Sequence, residues 1–294
     1  MTLAAIDIGS NAARLLISEP KPFHDGSVDF VKLNLLRIPL RLGFDVFDTG
    51  VISPAKQTEL VDTMRIYRDL MKLYKVQSMK ICATSAMRDA ANREEVIAAV
   101  KKETGLSIDV ITGHQEASII YETHIAETLV SGKNYLYIDV GGGSTEVTLF
   151  AKGLTIFKES FNIGTIRLLG DSVSEAQWDA MKWYLRTNVK DYQPLEAIGS
   201  GGNINKIFSI SKRKEGRPLS LELLRDYHKE IGARTLEERR HLYGFRDDRA
   251  DVIVPALQVF INIMRWAGAA EIYVPKIGLA DGLVKVLYEE AGAG

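Results

Sequence analysis

The sequence predicts an α/β fold made of two related domains, and two observations carry that prediction. Segments with strand spacing and segments with helical spacing alternate along the chain. Each half of the chain also begins with the same pattern, which is an apolar strand, an aspartate, a turn of small residues and a returning strand. Asp7 aligns with Asp139, and Arg14 aligns with Glu146, without a gap. Repetition of such a unit indicates two similar domains.

The first half is predicted to begin with three strands between Thr2 and Ile38, around a loop at 20–27. Ser53 and Pro54 then have the residue types that start a helix. The apolar face of this helix is predicted to consist of Leu60, Met64, Tyr67, Met71 and Tyr74. The further elements predicted in this half are a buried strand at 79–83, a helix ended by Gly105, a strand at 108–111 and a helix at 114–130.

The second half repeats the three-strand meander at 134–161. Because Ser131 and Gly132 break the preceding helix, we place the domain boundary beside them, which gives domains of residues 1–128 and 129–294. The elements predicted after the meander are helices near 174–190, 203–211, 220–231 and 248–266, a strand at 271–274 and a closing helix from 278 onward.

Composition narrows the classes of function. The chain has 294 residues, of which 46% are hydrophobic and 26% charged, as is typical of a soluble globular protein. A net charge of −1 argues against nucleic-acid binding through a global basic field. Cys82 is the single cysteine and no secretory signal is recognisable, so we expect a cytoplasmic protein. The apolar stretch 252–268 is interrupted by polar residues, and we interpret it as a buried helix that falls short of a membrane span.

The two glycine-containing turns indicate phosphate binding. Small residues at 9–11 and 141–144 leave the backbone open, and turns of this kind present N–H groups to anions. Asp139 and Glu146 flank the second turn on adjacent predicted strands, where both can reach one Mg²⁺ ion. The alternative is an ordinary hairpin with a glycine-rich corner, in which Asp139 caps the turn. The histidines have no spacing that favours a zinc site.

Several motifs extend this interpretation by resemblance. The two turns resemble the first and second phosphate loops of the actin, sugar kinase and heat-shock chaperone superfamily, and "AIGSGGNINKI" (197–207) resembles its third loop. Four stretches resemble the exopolyphosphatase and guanosine pentaphosphate phosphatase family, namely "LRLGFD" (40–45), "ATSAMRDAANR" (83–93), "TGHQEASIIYET" (112–123) and "IGTIRLL" (163–169). The resemblance covers nearly the whole chain. It implies two actin-like, ribonuclease H-like domains, each a mixed five-stranded sheet with flanking helices, and an active site in the interdomain cleft.

The resemblance also implies roles for individual residues. Glu116 matches the catalytic glutamate that deprotonates the attacking water, and Arg88 matches the arginine placed against the transferred phosphate. Asp139 and Glu146 are expected to hold Mg²⁺, or Mn²⁺ in its place. Phosphate binding is expected from Gly9, Ser10, Asn11, Gly141, Gly142, Gly143, Ser144, Arg93, Gly201, Gly202 and Lys206. The alternatives are a first-turn helix acid for Glu116 and a helix-surface position for Arg93.

These roles lead to a main hypothesis, a Mg²⁺-dependent exopolyphosphatase that releases terminal orthophosphate from inorganic polyphosphate. Guanosine pentaphosphate 5′-phosphohydrolase is the first alternative, since both substrates end in a phosphoanhydride. A sugar-kinase-like enzyme with an adenosine pocket around 199–203, and a non-catalytic sensor of guanosine tetraphosphate or polyphosphate, are the others. Long family members carry a C-terminal HD-type domain, and the chain ends at Gly294, so the resemblance implies a short form that prefers short polyphosphate chains. Separately, the resemblance implies a homodimer.

Overall fold

The computed structural model describes residues 1–24, 27–122, 133–152, 154–275 and 278–292. Its contacts divide the chain into two compact units. Unit 1 is Met1–His124 together with Gly278–Gly294, and unit 2 is Ile125–Ile277. Each unit contains one mixed sheet with flanking helices, so the predicted fold class is confirmed.

The sheet of unit 1 contains the predicted three-strand meander and two further strands. Its strands are β1 (Leu3–Ile8), β2 (Ala13–Pro22), β3 (Val28–Ile38), β4 (Ser78–Ala83) and β5 (Asp109–Val110). The strand order is β3-β2-β1-β4-β5. The three strands of the meander are antiparallel, whereas β4 and β5 run parallel to β1. The carboxyl ends of β1, β4 and β5 therefore meet at one edge of the sheet.

Five helices among the described residues of unit 1 precede the second sheet. They are α1 (Leu42–Thr49), α2 (Pro54–Leu73), α3 (Ser85–Asp89), α4 (Arg93–Thr104) and α5 (Gly113–Glu122). Helix α2 begins as predicted, because the Ser53 hydroxyl accepts a hydrogen bond from the Lys56 N–H at 3.4 Å and Pro54 is the first helical residue. Its predicted apolar face is buried in the unit 1 core, with Tyr74 partly buried beside it.

Helix α5 is the described part of the helix predicted at 114–130. Residues 123–132 lie outside the described residues, and the predicted domain boundary between 128 and 129 falls among them. Helix α1 was not predicted from the sequence. It is only eight residues long and carries Gly43 in its first turn, so its helical signal is weak.

The sheet of unit 2 repeats the topology of the first sheet and adds one strand. Its strands are β6 (Asn134–Val140), β7 (Thr145–Ala151), β8 (Leu154–Phe161), β9 (Leu195–Ser200), β10 (Leu219–Ser220) and β11 (Glu271–Tyr273). The order is β10-β11-β9-β6-β7-β8. The sixth strand corrects the prediction of five, and it arises because β10 pairs antiparallel with β11 at the sheet edge. A two-residue bridge has no sequence pattern of its own.

The helices of unit 2 follow β8 and lie between the later strands. They are α6 (Thr165–Leu169), α7 (Glu175–Val189), α8 (Gly202–Ile210), α9 (Leu221–Gly232), α10 (Leu236–Tyr243), α11 (Asp247–Ala250) and α12 (Ile253–Ala267). The helix predicted at 248–266 is therefore divided into α11 and α12. Helix α10 was not predicted, although a capping box formed by Thr235 and Glu238 starts it.

The apolar stretch Asp247–Ala267 is long and apolar enough to cross a membrane by length and composition alone. The sequence argument that it falls short of a span was therefore wrong on that criterion. Its interpretation as a buried helix is confirmed, because 61% of the apolar window is buried inside the protein. The side chains that it contributes to the unit 2 core include Leu257, Phe260, Ile263 and Met264.

The last helix, α13 (Leu279–Glu290), belongs to unit 1, whereas the domain limits drawn from the sequence place it in the second domain. It packs on β1, β2, β4 and α5. The reason is its apolar face, where Leu283, Val284 and Leu287 are buried. Sequence position alone does not show which sheet such a face covers.

Candidate functional site

The turn between β1 and β2, residues 9–12, is here called loop 1. The Gly9 N–H donates to the Ala12 carbonyl at 3.0 Å and closes the turn. The start of α1 is hydrogen-bonded to the loop. The N–H of Gly43 donates to the Ser10 carbonyl at 2.8 Å, and the N–H of Arg41 donates to the Asn11 carbonyl at 3.0 Å. The motif at 40–45 thus holds the carbonyl oxygens of loop 1.

The turn between β6 and β7, residues 141–144 and here called loop 2, is held in the same way. The Gly141 N–H donates to the Ser144 carbonyl at 2.9 Å. At the start of α6, the Ile166 N–H donates to the Gly142 carbonyl at 2.8 Å and the Arg167 Nε donates to the Gly143 carbonyl at 2.7 Å. Because carbonyl oxygens repel phosphate and N–H groups bind it, this arrangement suits the backbone of loop 2 to an anion.

The tertiary structure shows that the two loops are also anchored in equivalent ways. Ser10 aligns with Gly142 in the repeat, and each carbonyl accepts a hydrogen bond from the helix that follows the third strand of its meander. Gly164 lets α6 approach closely, because a Cβ atom there would clash with the backbone of Gly142 and Gly143. The stretches at 40–45 and 163–169 are therefore equivalent parts of the repeat.

Asp139 and Glu146 are directly opposed on β6 and β7. Opposed residues on antiparallel strands project from the same face, with Cβ atoms about 4.5–5.5 Å apart. Glu146 is 1% exposed, and its Oε1 accepts a hydrogen bond from the Ser160 hydroxyl at 2.8 Å. The described part of the chain has no group of three or more His, Cys, Asp and Glu side chains arranged for a metal. Two carboxylates nevertheless fit Mg²⁺, which keeps waters and binds phosphate oxygens.

The turn from β9 into α8, residues 199–202 and here called loop 3, adjoins Asp139. Gly201 precedes α8 with φ 100° and ψ 158°, a conformation that is essentially restricted to glycine. A Cβ atom there would lie 3.0 Å from the Asp139 Oδ1. Beyond the loop, the Arg249 Nη1 donates to the Asn203 Oδ1 at 2.6 Å, and the Lys206 Nζ lies 5.6 Å from the centroid of the Phe245 ring.

Gly201→Ala is expected to lower the free energy of unfolding by about 1–3 kcal/mol. The alanine would have to adopt a backbone conformation that residues with a Cβ atom rarely adopt, and its Cβ would meet the Asp139 carboxylate. Gly216→Ala is the matched control, since Gly216 also has a positive φ, 76°, but nothing lies within 4 Å of its added Cβ. The control is expected to lose about 1–2 kcal/mol, the cost of a positive φ alone, and Gly201→Ala is expected to lose more than the control because its added Cβ also meets the Asp139 carboxylate. Urea unfolding of both variants measures the difference. Equal losses would contradict a cost from the contact with Asp139.

Arg88 lies on α3, which links loop 1 to the start of α5. The Ser85 and Ser10 hydroxyl oxygens are hydrogen-bonded at 2.8 Å in the interior. The Arg88 Nη1 donates to the Ile111 carbonyl at 3.0 Å, just before α5 begins. Arg93 donates from Nη1 to the Arg88 carbonyl at 3.0 Å, and its side chain is 45% exposed. Arg93 thus supports the turn that carries Arg88, in keeping with its interpretation as a surface residue.

Glu116 lies in the first turn of α5 and is half-buried. Its N–H donates to the Thr112 carbonyl at 2.9 Å, and the Gln115 Oε1 accepts from the Thr112 N–H at 2.8 Å. Burial raises the pKa of the Cys82 thiol to about 12, and the charges of Asp109, Asp7 and Glu116 act in the same direction.

Unit 1 has an ion pair where unit 2 has two carboxylates. Asp7 is opposed by Arg14 across β1 and β2, and the Arg14 Nη1 lies 2.9 Å from the Asp7 Oδ2. Burial raises the pKa of Asp7 above its ordinary value, although the Arg14 guanidinium lowers it. The repeat alignment of Arg14 with Glu146 was the sequence signal for this difference. A pair of carboxylates across the first two strands of the meander is thus present in unit 2 and absent from the described strands of unit 1.

Sequence reasoning missed four side chains that organise these loops, namely Ser85, Ser160, Arg167 and Arg249. Ser85 and Arg167 lie inside quoted motifs, but a motif does not show which of its members makes a contact. Ser160 could have been found by continuing the strand alternation from Glu146 to its neighbour on β8. The role of Arg249 depends on the packing of α11 beside α8, which no local pattern indicates.

A family model for the Ppx/GppA phosphatase family matches residues 26–290. The chain belongs to this family. One relative is Exopolyphosphatase 2 of Mycobacterium tuberculosis, which is 31% identical over 56% of this chain and 53% of that protein. Another is guanosine-5′-triphosphate,3′-diphosphate pyrophosphatase of Aeromonas hydrophila, which is 24% identical over 96% of this chain and 58% of that protein. The chain thus spans little more than half the length of these relatives.

A solved exopolyphosphatase from Cytophaga hutchinsonii has the same fold, with a TM-score of 0.85, 24% identity and coverage of 99% of this chain and 98% of that one. Membership of the Ppx/GppA family confirms the resemblance drawn from the motifs. The catalytic, phosphate-binding and metal-binding roles of individual residues stay predictions.

Proposed function

We propose that this member of the Ppx/GppA family is an exopolyphosphatase, which hydrolyses the terminal phosphoanhydride of inorganic polyphosphate and releases orthophosphate. The observation that carries the proposal is the pair Asp139 and Glu146, directly opposed beside a loop whose carbonyls are held by α6. Paired carboxylates next to a phosphate-binding backbone are suited to phosphoryl transfer, in which positioned charge does most of the catalytic work. The names of the relatives support the same reaction class.

In the proposed reaction, the N–H groups of loops 1 and 2 bind phosphate oxygens of the substrate. The Arg88 guanidinium grips the terminal phosphoryl group through two oxygens. Glu116 takes a proton from the attacking water, whose oxygen bonds to the terminal phosphorus. The bond from that phosphorus to the bridging oxygen breaks, and the shortened chain keeps the bridging oxygen and its electron pair. Asp139 and Glu146 would hold Mg²⁺, or Mn²⁺, which supplies positive charge against the phosphates when bound.

A second candidate activity is removal of the 5′-terminal phosphate of guanosine pentaphosphate. The alignment over 96% of this chain with the pyrophosphatase from Aeromonas hydrophila favours it. The two activities use the same bond type, so comparison of kcat/KM for the two substrates decides between them. Phosphate release from polyphosphate without nucleotide would exclude the kinase hypothesis. Binding without any release from either substrate would indicate a sensor.

Removal of divalent metal by EDTA is expected to abolish phosphate release, and added Mg²⁺ is expected to restore it. Glu146→Gln is expected to raise the Mg²⁺ concentration needed for half-maximal activity by about tenfold or more, since loss of even an outer-shell partner of a metal ligand costs about 10–100-fold in metal affinity or activity. The control is Glu159→Gln, which also removes one negative charge. Glu159 directly precedes Ser160 on β8, so strand alternation directs the Glu159 side chain to the face opposite that of Ser160. Full activity in EDTA would contradict the metal role.

A further inference from the structure

Helix α13 contacts α5 through a glycine that tolerates no side chain. A Cβ atom added at Gly282 would lie 2.5 Å from the Ile119 carbonyl oxygen and 2.6 Å from its Cγ2. Both distances are below 3.0 Å, which real Cβ atoms essentially never show. The nearest atom belongs to the backbone, so a change of side-chain rotamer cannot relieve the contact. The absence of a side chain at Gly282 therefore sets the spacing between the two helices.

The other contacts of α13 hold it in place. The Asp281 Oδ2 accepts a hydrogen bond from the Gly278 N–H at 2.9 Å, which caps the helix. The Asp281 Oδ1 lies 2.6 Å from the Lys32 Nζ, which ties the start of α13 to β3. The helix also packs on β1, β2 and β4. Because these contacts hold α13, a side chain added at Gly282 is expected to push α5 away from α13.

Helix α5 carries Glu116 one turn before Ile119. Its start is capped by Thr112 and Gln115, and the Arg88 hydrogen bond to the Ile111 carbonyl links it to α3. A hydrogen-bonded helix transmits a displacement along its axis, so a shift at Ile119 reaches Glu116. Opening the contact at Gly282 to an ordinary distance requires a movement of about 1 Å, and misplacement by that amount in an active site costs about 10²-fold in rate.

We propose that Gly282 is a positioning residue for the reaction. It sets the distance between α13 and α5, and thereby the position of the Glu116 carboxylate. The proposal rests on the function proposed above, with Glu116 as the base. It gives the start of α13, residues 278–282, a function in the active site as well as in the fold.

Gly282→Ala is expected to lower kcat about 10–100-fold while KM changes by less than about twofold. Gly232→Ala is the matched control, because Gly232 is also a helical glycine and the nearest atom to its added Cβ is 3.8 Å away. The control is expected to keep full activity. An unchanged kcat in Gly282→Ala, or a loss that appears mainly in KM, would overturn the proposal.

A double-mutant cycle separates positioning from general damage. If Gly282 acts through Glu116, then Gly282→Ala in a Glu116→Gln background should cause no further loss of kcat beyond about twofold. Equal losses in both backgrounds would overturn the proposal. If Gly282→Ala does not fold, Ile119→Ala takes its place in the cycle, since it loosens the same contact without adding atoms.

Hydrogen exchange tests the contact without any assay of activity. Amides at 116–122 are expected to exchange faster in Gly282→Ala than in the unmodified protein or in Gly232→Ala. Unchanged exchange at these amides would overturn the proposal even if activity falls. If the unmodified protein releases no phosphate from either substrate, the proposed function fails, whereas the exchange result still decides whether Gly282 holds α5.

Discussion

Glu116→Gln is expected to lower kcat by about 10²–10⁴-fold and to leave substrate binding close to that of the unmodified protein. The amide has nearly the same shape as the carboxylate but cannot accept a proton from the attacking water. The structure places Glu116 half-buried in the first turn of α5. Steady-state release of orthophosphate measures kcat, and equilibrium binding of polyphosphate to the variant measures affinity.

The control for this prediction addresses the alternative that Glu116 only stabilises the start of its helix. Glu95→Gln removes an exposed first-turn acid of α4 and so has a similar effect on a helix dipole. It is expected to retain full activity. If Glu116→Gln and Glu95→Gln both lower stability by a few tenths of a kcal/mol and both retain activity, Glu116 is a first-turn acid and the base lies elsewhere.

Arg88→Ala is expected to lower kcat by about 10³–10⁵-fold, the range found when an arginine that stabilises phosphoryl transfer is lost. The structure holds Arg88 at the end of α3, where Nη1 donates to the Ile111 carbonyl at 3.0 Å. The Arg88 Nε lies 3.8 Å from the Asp89 Oδ1, so a bidentate grip on two phosphate oxygens has to compete with this contact. Single-turnover release of orthophosphate separates this loss from any change in product release.

Two companion variants sharpen the result for Arg88. Arg88→Lys keeps the charge but loses the planar fork, so it is expected to recover only a small part of the activity. Arg93→Ala removes a nearby positive charge and the hydrogen bond to the Arg88 carbonyl, and it is expected to cost less than about tenfold because Arg93 is 45% exposed. Full activity of Arg88→Lys would contradict bidentate binding, and a larger loss in Arg93→Ala would assign the phosphate contact to Arg93.

Properties that depend on neighbours along the chain were predictable. The apolar face of α2 follows from helical periodicity, and its start follows from the types of Ser53 and Pro54. The opposition of Asp139 and Glu146 also follows from the sequence, because strand alternation and a short turn determine which residues of a hairpin face each other. The motifs supplied the family as well, and the match over residues 26–290 confirms it.

Other features depend on contacts between residues far apart in sequence, and local patterns do not contain them. The return of α13 to unit 1, the sixth strand at Leu219–Ser220 and the binding of each loop by the helix after its meander are of this kind. A helix face shows that it will be buried, but many sheets offer similar apolar surfaces, and the choice between them is made by the packing of the whole chain.

The sequence by itself thus determined the fold class, the internal repeat, the carboxylate pair and the family. Only the tertiary structure decided that α13 returns to unit 1, and that Gly282 meets the Ile119 backbone on the helix that carries Glu116. The physical reason is the distance along the chain over which each effect acts. Periodicity and turn chemistry act over a few residues, whereas the docking of a helix on a sheet and the spacing of two helices are set by close packing among segments that the chain brings together only when it folds.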